Sequence, residues 1–504
     1  MKYFFIPFIL IFVFQLNTQA QNRGTCGVSP DDQIIMHQIF KHNHTHVDLS
    51  DWNRNEFVDI PVKFHVYANT DGSGRIPITA ILNQLCVLNN DFAEYKMRFY
   101  LSGDINFVNS SNPNQNPGLF ENQLALRKVG DAVNVFVTKN ATTPGGDTGP
   151  GTILGYYSPS RDWIVVKQDQ VTASSNTLSH EMGHFFSLPH TFFGWESDPY
   201  VEDKHGNPVL LTNAPGTNIP VELMDGSNCN IAADRLCDTP PDYGFGNLTN
   251  NCVFNLDVRD RNNERIFPMV NNQMSYFSNC QKFAFTPNQG ERMNMDYLTP
   301  RRSYIRTGYS PINDSITTTA TLLEPINNVR IEEFNGVHFD WTPVENATHY
   351  ILEVIGPQET TQYLATTSEI YVTNLRPNGL YNWRVRAFNE GFTCTGISEN
   401  GRFRTGNVMT NVIDTEFIQK LKVYPIPAIE TTVIHVAFTL LSYGDLTIKI
   451  NDATGHRVLQ KTLERQQPGD QTITLEIQNL TSGFYFLEMV TNQGTVTKKL
   501  YIGN

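Results

Sequence analysis

The sequence has little charge, and basic residues are the scarcer kind. Only 17% of its 504 residues are charged, and 37 Lys and Arg stand against 50 Asp and Glu, for a formal net charge of -13. Nucleic acids and anionic membranes attract basic surfaces, so this balance argues against both as partners. The 40% of hydrophobic residues is ample for cores, and the length suggests about three or four domains.

Long apolar runs are also scarce. Beyond residue 20 no stretch approaches the roughly 18 apolar residues that span a bilayer. Residues 1–20 themselves combine Lys2, an apolar run from Tyr3 to Phe14 and the small-residue site at Ala20, which is typical of a secretory signal peptide. We therefore expect an exported protein whose mature chain has no membrane span.

The seven cysteines include no C-x-x-C pair. Four of them follow one another over about 50 residues, and in an exported protein they predict two disulfides in any of three pairings, with a second zinc site as the alternative. These four are Cys229, Cys237, Cys252 and Cys280. Cys86 and Cys394 lie in apolar stretches and are expected to be buried thiols.

What the sequence does contain is a dense set of metal ligands in T-L-S-H-E-M-G-H-F-F-S-L-P-H, residues 177–190. On a helix, His180 and His184 lie one turn apart on one face and can bind one zinc ion. Glu181 is placed to take a proton from a zinc-bound water. His190 can reach the same ion only if the helix ends and the chain turns back. A surface helix with satisfied histidines is the alternative, and the third histidine argues against it.

This spacing resembles the metzincin clan of metalloproteases, whose motif is H-E-x-x-H-x-x-G-x-x-H. The turn residue is usually Gly because the turn needs a left-handed backbone. Here that residue is Ser187, and a non-glycine residue there costs roughly 1–2 kcal/mol. The departure bears on turn geometry and metal affinity, while the number of ligands is unchanged.

Residues 21–55 are polar and carry Cys26 in R-G-T-C-G-V-S-P-D. The stretch resembles the latency segment of matrix metalloproteases, which implies a Cys26 thiolate in the fourth zinc position and release by cleavage. A stray or oxidised thiol is the alternative. His42, His44 and His46 alternate along a stretch predicted to be extended, where a solvated pro-segment is favoured over a metal site.

Strand patterns and one helix pattern precede the zinc helix and predict an α+β lobe with a mixed twisted sheet. The predicted strands are 60–67, 97–101, 133–137, 152–157 and 163–167, and the predicted helix is 78–91. In metzincins an edge strand above the zinc helix binds substrate in extended form, and residues 155–158 are our candidate for that strand.

From His190 to about residue 265 the chain is rich in Gly, Asn and Pro and shows little regular patterning. A long irregular segment of this kind is expected to require cross-links such as disulfides. Its aspartates offer oxygen ligands for a structural calcium, of which Asp238 and Asp242 are our candidates; a solvated acidic loop is the alternative. Further on, N-N-Q-M-S-Y resembles the metzincin Met-turn. That resemblance implies that Met274 forms an apolar floor under the histidines and that the Tyr276 hydroxyl reaches the oxyanion.

Together, H-E-M-G-H, D-T-P, N-x-M-S-Y and F-T-P-x-Q are similar to the pappalysin, or cytophagalysin, metalloproteases over about residues 57–300. The resemblance implies a zinc endopeptidase domain at 56–306 that cleaves extended protein or peptide substrates, with calcium near the cleft and a cysteine-linked lower lobe. Two other classes remain. One is a gluzincin-type peptidase, in which His190 is not a ligand. The other is a non-catalytic surface adhesin with a degenerate site, because Ser187 breaks the family turn.

Residues 307–323 are predicted to be a linker to two small all-β sandwich domains. Residues 324–406 resemble a fibronectin type III domain through L-x-P-x-x-x-Y-x-W, in which Tyr381 anchors a strand. Residues 415–504 are similar to the C-terminal sorting domain of the type IX secretion system of Bacteroidetes, with Ile426 where that family has Asn. This implies the secretion machinery as a partner and a secreted or cell-surface location; an ordinary sandwich is the alternative. We expect a monomer.

Overall fold

The computed structural model describes residues 24–46, 56–145, 152–248, 251–409, 417–426, 428–429, 431–452, 455–491 and 494–503. The predicted signal peptide lies outside the described residues. The chain divides into two compact units, Met1–Pro311 and Ile312–Asn504. No helix in the described ranges is both long and apolar enough to cross a membrane.

The first unit combines a single mixed sheet with helices. Its described strands are β1 (Gly24–Cys26), β2 (Val58–Ala68), β3 (Met97–Leu101), β4 (Asn106–Asn109), β5 (Val133–Thr138), β6 (Thr152–Ser158) and β7 (Trp163–Lys167). Its described helices are α1 (Pro30–His46), α2 (Ile78–Phe92), α3 (Ser111–Gln115), α4 (Glu121–Ala125), α5 (Thr177–Phe185), α6 (Glu202–His205) and α7 (Pro287–Leu298).

The sheet has the order β1-β6-β7-β5-β2-β3, and β4 also pairs with β2. β6 runs antiparallel to β7, and the other pairs are parallel. β5 is buried along its whole length, as expected for a central parallel strand. The predicted α+β architecture with a mixed sheet is therefore confirmed.

Two helices show how local sequence sets the elements. α2 follows Pro77, whose backbone is extended, and buries the apolar positions spaced three and four apart that predicted it. α7 begins with a capping box: the Thr286 side chain accepts from the Gln289 N–H, and the Gln289 side chain accepts from the Thr286 N–H. Pro287 occupies the first turn.

The segment before β2 differs from its prediction. α1 runs through His42, where an extended stretch was expected, so that expectation is wrong. The helix buries Met36 and Phe40, which are four residues apart, and contacts α7. Docking of this apolar pair explains a helix in a polar sequence, because packing of one face stabilises most short helices.

The region from 186 to 286 has little regular structure and is held by disulfides and an aromatic cluster. The bonds are Cys229–Cys237 and Cys252–Cys280, which selects one of the three pairings. The cluster includes Phe192, Trp195, Tyr200, Tyr243 and Phe245. Cys86 and Cys394 are also disulfide-bonded, so the expectation of two buried thiols is wrong. Cys26 is the one free cysteine among the described residues.

The second unit contains two β-sandwiches. The strands of the first are β8 (Leu322–Glu324), β9 (Val329–Arg330), β10 (Glu333–Asn335), β11 (Val337–Trp341), β12 (His349–Ile355), β13 (Thr360–Ala365), β14 (Glu369–Val372), β15 (Leu380–Phe388), β16 (Gly401–Arg404) and β17 (Val408–Met409). Those of the second are β18 (Ile418–Tyr424), β19 (Ala428–Ile429), β20 (Val433–Leu440), β21 (Gly444–Asp452), β22 (Arg457–Gln466), β23 (Gly469–Glu476), β24 (Gly483–Thr491) and β25 (Gly494–Gly503). The first sandwich has sheets of order β14-β11-β8 and β13-β12-β15-β16-β9, with a two-stranded β10-β17 sheet. The second has sheets of order β18-β20-β23 and β19-β25-β24-β21-β22.

The first sandwich has the tyrosine anchor that its sequence predicted. The Tyr381 hydroxyl accepts from the Arg376 N–H at 2.7 Å, five residues upstream. Ile316 and Ala320, from the stretch predicted as a linker, pack in this sandwich's core.

Candidate metal centre

The zinc-motif helix ends where the histidine spacing predicted. α5 stops at Phe185, and Ser187 adopts the left-handed conformation with φ 67°. The Leu188 N–H then donates to the Gly183 carbonyl at 3.0 Å, the closure typical of a helix that ends in a left-handed residue. The chain turns back at this point and brings His190 to the first two histidines.

Ser187 can replace the usual glycine because its hydroxyl has a buried partner. It donates to Asp296 of α7 at 2.7 Å, and Asp296 also binds Arg302 Nε at 2.7 Å. A hydrogen bond to a charged group contributes about 1.5–3 kcal/mol, whereas the left-handed backbone costs about 1–2 kcal/mol. The bond therefore offsets the strain.

The three imidazoles converge. His184 Nε2 lies 3.1 Å from His180 Nε2 and 3.2 Å from His190 Nε2. Two ligands bound tetrahedrally to one zinc at 2.0–2.1 Å would lie about 3.3 Å apart. A ligand atom from each of Cys26, His180, His184 and His190 lies within 4.8 Å of the others, and this is the one such group among the described residues. The donor set and its spacing fit one zinc ion.

The first two ligands are oriented by backbone carbonyls. His180 Nδ1 donates to the Gln273 carbonyl at 2.6 Å, and His184 Nδ1 donates to the Leu188 carbonyl at 2.8 Å. A carbonyl can only accept, so each ring carries its proton on Nδ1 and presents the Nε2 lone pair to the centre. Burial lowers the pKa of His180 to about 4 and that of His184 well below its ordinary value, so both rings are neutral at pH 7.

Glu181 is buried beside these rings, and burial raises the pKa of its carboxyl to about 8. It packs against β6 at Gly155, where an added Cβ would lie 3.2 Å from Glu181 Cγ and 3.1 Å from the Val165 carbonyl. The glycine thus lets the zinc helix approach the strand that was predicted, over 155–158, to lie above it.

Cys26 reaches the centre because β1 adds to the edge of the sheet. β1 pairs with β6 in parallel, with Cys26 opposite Gly155, and the Gly27 N–H donates to the Gly155 carbonyl at 2.8 Å. Cys26 Sγ lies 3.5 Å from Glu181 Oε2. Burial first, and the charge of Glu181 next, raise the pKa of this thiol.

Met274 and Tyr276 both lie close to the zinc-motif residues. An added Cβ on Gly183 of the zinc helix would lie 2.5 Å from Met274 Sδ, so the methionine packs directly against that helix. The Tyr276 ring lies 4.8 Å from the His190 ring, and its hydroxyl donates to the Cys26 carbonyl at 3.2 Å. The structure therefore brings both residues to the centre.

Asp238 and Asp242 are bound by protein donors. Asp238 accepts from the Thr286 hydroxyl and the Asn288 N–H, both at 2.8 Å, and so caps α7. Asp242 accepts from the hydroxyls of Thr191 at 3.0 Å and Ser275 at 2.7 Å. Asp242 thereby joins the loop after His190 to the turn that carries Met274.

Other functional side chains gave no signal that local sequence reasoning could use. Asp91 of α2 accepts from Ser179 at 2.6 Å and from the Gln273 side chain at 3.0 Å, and so supports the carbonyl that orients His180. Asp296 is equally remote from the motif. Glu196 differs from these two, because it lies only six residues after the third histidine and local spacing could have indicated it.

A cleft of about 540 Å³ opens beside the centre. It runs between the segment that leads into α5 and the segment that follows the Met274 turn. Its lining includes Leu154, Asn176, Thr177, Glu181, Tyr276 and Phe283. His180 also lines the cleft, so the cleft reaches the first of the three histidines.

Comparison with known proteins found one matching family model, several curated relatives and similar solved structures. Residues 422–503 match the family model of the secretion system C-terminal sorting domain. An extracellular metalloprotease of Verticillium alfalfae is 24% identical over 264 residues, 48% of this chain and 77% of that protein. One of Colletotrichum graminicola is 25% identical over 295 residues, 54% of this chain and 90% of that protein. Among solved structures, the FN1–FN3 domains of chicken CNTN1 align with 38% of this chain and 69% of theirs, at 14% identity and a TM-score of 0.16.

The predicted sorting domain is thus confirmed for the C-terminal sandwich, and the protein is secreted or displayed at the cell surface. The match implies an interaction with the secretion machinery. The distant relatives support a metalloprotease, and the histidine–cysteine cluster could bind its metal.

Proposed function

We propose that the protein is a secreted zinc endopeptidase of the metzincin type, with a pappalysin-like domain over 56–306. The observation that carries the proposal is the convergence of three buried imidazoles, on His180, His184 and His190, at the spacing one tetrahedral ion requires. The contact of Met274 with the zinc helix supports the metzincin assignment. The short His184–His190 distance removes support from a gluzincin arrangement.

The chemistry follows from the side chains around this centre. Zinc, when bound, supplies a Lewis acid that acidifies water and polarises a carbonyl. Glu181 takes the proton of the attacking water and delivers it to the leaving amine. Burial favours the protonated form of this carboxyl, and the charge of a bound zinc ion would favour the ionised form that accepts a proton. The Tyr276 hydroxyl, once released from the Cys26 carbonyl, donates to the oxyanion of the tetrahedral intermediate.

Extended protein or peptide substrates would lie along β6. In the structure the backbone edge of β6 is paired with β1, so a substrate strand has to replace β1. Gly155 then lies at the cleavage centre, because it faces both Cys26 and Glu181.

We further propose that residues 21–55 keep the enzyme latent. A thiolate from Cys26 would complete the donor set in place of water, since a bound zinc ion favours the deprotonated thiol. α1 adds a second attachment, because Asn43 Nδ2 donates to the buried Asp296 at 2.8 Å. Cys26→Ala in the full chain is expected to raise proteolytic activity before any cleavage, and unchanged activity would contradict the latency role.

A structural calcium ion at Asp238 and Asp242 remains a proposal. Both carboxylates accept hydrogen bonds from protein donors. Burial, followed by nearby charges that include Asp242, raises the pKa of the carboxyls of Glu222 and Asp234. A cation would stabilise such a group of buried acids. A calcium chelator is expected to lower the melting temperature, and an unchanged melting temperature would contradict the site.

The deciding experiment is cleavage of casein by the purified full chain after limited proteolytic activation. We expect cleavage that a zinc chelator stops and that added zinc restores. Glu181→Ala should keep its zinc and lose the activity. A chain that binds zinc but leaves casein and other unfolded proteins intact would instead favour the adhesin reading.

A further inference from the structure

The three histidines differ in what holds their outer nitrogen. Those of His180 and His184 donate to backbone carbonyls at 2.6 and 2.8 Å. His190 Nδ1 has no hydrogen-bond partner within normal distance among the described residues, although the ring is fully buried. It faces Glu196 Oε1 at 3.5 Å, and that oxygen is likewise buried without a partner.

Glu196 is held in place for this contact. Its other oxygen, Oε2, accepts from the Gly194 N–H at 2.7 Å, and only 15% of its side chain is exposed. Gly194 has φ 99°, a conformation that suits glycine and folds the loop back towards His190. The neighbouring Trp195 is buried and stacks on Tyr243 at 4.9 Å, which fixes the loop from below.

The His190 ring is also held by its neighbours. It stacks on Phe192 at 4.6 Å with an interplanar angle of 8°, and its edge meets Tyr276 at 4.8 Å. These contacts fix the plane of the ring but not which nitrogen carries the proton. A hydrogen-bond acceptor at Nδ1 decides that, and Glu196 Oε1 is the acceptor that faces it.

We propose that Glu196 is a positioning residue for the third zinc ligand: its carboxylate accepts the Nδ1–H of His190 and so presents the Nε2 lone pair to the metal. The inference rests on the proposed zinc function. His180 and His184 are aimed by their helix, whereas His190 stands on an irregular loop. A carboxylate there supplies both orientation and a negative charge beside a divalent ion, which raises the basicity of the ligand.

The test compares three variants of the full chain: Glu196→Ala, Glu196→Gln and the control Asp198→Asn. Asp198 is a carboxylate two residues further on that pairs with Lys204 at the surface. Zinc affinity is measured by competition with a chromophoric chelator. We expect Glu196→Ala to bind zinc about 10–100-fold more weakly. Glu196→Gln should lose less, because its amide oxygen still accepts, and the control should match the wild type.

A second readout needs no metal. Long-range ¹H–¹⁵N NMR of the zinc-free protein should show His190 protonated on Nδ1 in the wild type and in Glu196→Gln, and a mixture of tautomers in Glu196→Ala. If Glu196→Ala does not fold, the isosteric Glu196→Gln carries the affinity test, and a loss greater than that of the control supports the role.

Equal zinc affinity for the wild type and both Glu196 variants would overturn the inference while leaving the zinc enzyme intact. A wild-type protein that binds no zinc would overturn the proposed function instead. In that case the tautomer of His190 still decides the inference, since a proton on Nε2 in the wild type contradicts it.

Discussion

The part of the first unit that ends at Phe185 and the part from 186 to 286 build one metal centre by different means. In the earlier part, regular elements place the side chains, since α5 sets His180 and His184 one turn apart and β6 lies against Glu181. In the later part, His190 is placed by ring stacking, single hydrogen bonds and a left-handed residue at 187.

The two parts hold their metal-ligand side chains in position by different kinds of contact. A helix aims two ligands through many equivalent backbone bonds, so the loss of one contact is shared among the rest. The irregular part depends on particular side chains, such as Asp242, which accepts hydrogen bonds from both Thr191 and Ser275. Substitutions of the side chains that hold His190 should therefore weaken metal binding.

The largest difference between the two parts is expected when one functional side chain is removed from each. Glu181→Ala, in the helix, should lower the rate of peptide hydrolysis by about 10²–10⁴-fold because it removes the proton carrier, with zinc content unchanged. His190→Ala, in the loop, should lower both zinc content and rate. Elemental analysis beside a casein assay measures the two. Full zinc occupancy in His190→Ala would revive the gluzincin alternative.

The free energy of stabilisation from each disulfide should increase with the length of the loop that it closes. Replacing both cysteines of the Cys252–Cys280 pair, 28 residues apart, should lower the free energy of unfolding by about 3.5 kcal/mol, against about 2.5 kcal/mol for Cys229–Cys237, 8 residues apart. Denaturant unfolding of each double Ala variant gives the values. An equal effect of the two pairs would show that chain entropy does not govern this region.

The turn at Ser187 gives a smaller, two-sided effect. Ser187→Ala keeps the strained backbone and loses the bond to Asp296, so it should cost about 2 kcal/mol of folding stability. Ser187→Gly loses the same bond but also relieves the strain, so it should cost about 1 kcal/mol less. Thermal unfolding with zinc bound compares them. If Gly were the worse of the two, the left-handed backbone at residue 187 would not be strained by a side chain, and serine there would need no compensating bond.

The smallest expected effect concerns pH and the docking of α1. Burial, followed by the charges of Arg235 and Lys41, lowers the pKa of His37 to about 4. His37 is neutral when α1 is docked, and it has its ordinary pKa of about 6.5 when α1 is released. The released form therefore binds a proton as pH falls from about 6.5 towards about 4, and docking weakens over this range. Hydrogen exchange of α1 should therefore quicken in this range.

His37→Phe removes that proton and keeps a ring against Phe193. The pH dependence of α1 exchange should flatten in this variant, while any acid effect on the zinc ligands persists. A variant with an unaltered pH profile would assign the whole effect to the metal centre.

Sequence reasoning succeeded where a local pattern carries the structure. The strand at 163–167 and the helix from Ile78 matched because hydrophobic periodicity alone sets them. It failed for α1, whose polar sequence forms a helix only by docking Met36 and Phe40. It also missed Asp296, since a contact between residues 109 positions apart leaves no trace in local spacing.

The segment that contains β1 occupies two places at once: the edge of β6 and the space beside the three histidines. In the proposed latent enzyme, the Cys26 thiolate would take the place of the attacking water, and the residues beside it would take the place of the bound peptide. Tethered to the domain, this segment is present at an effective concentration on the order of millimolar. Once the tether is cut it dilutes into the surroundings of an exported protein, so release behaves as a one-way step without any new bond being made.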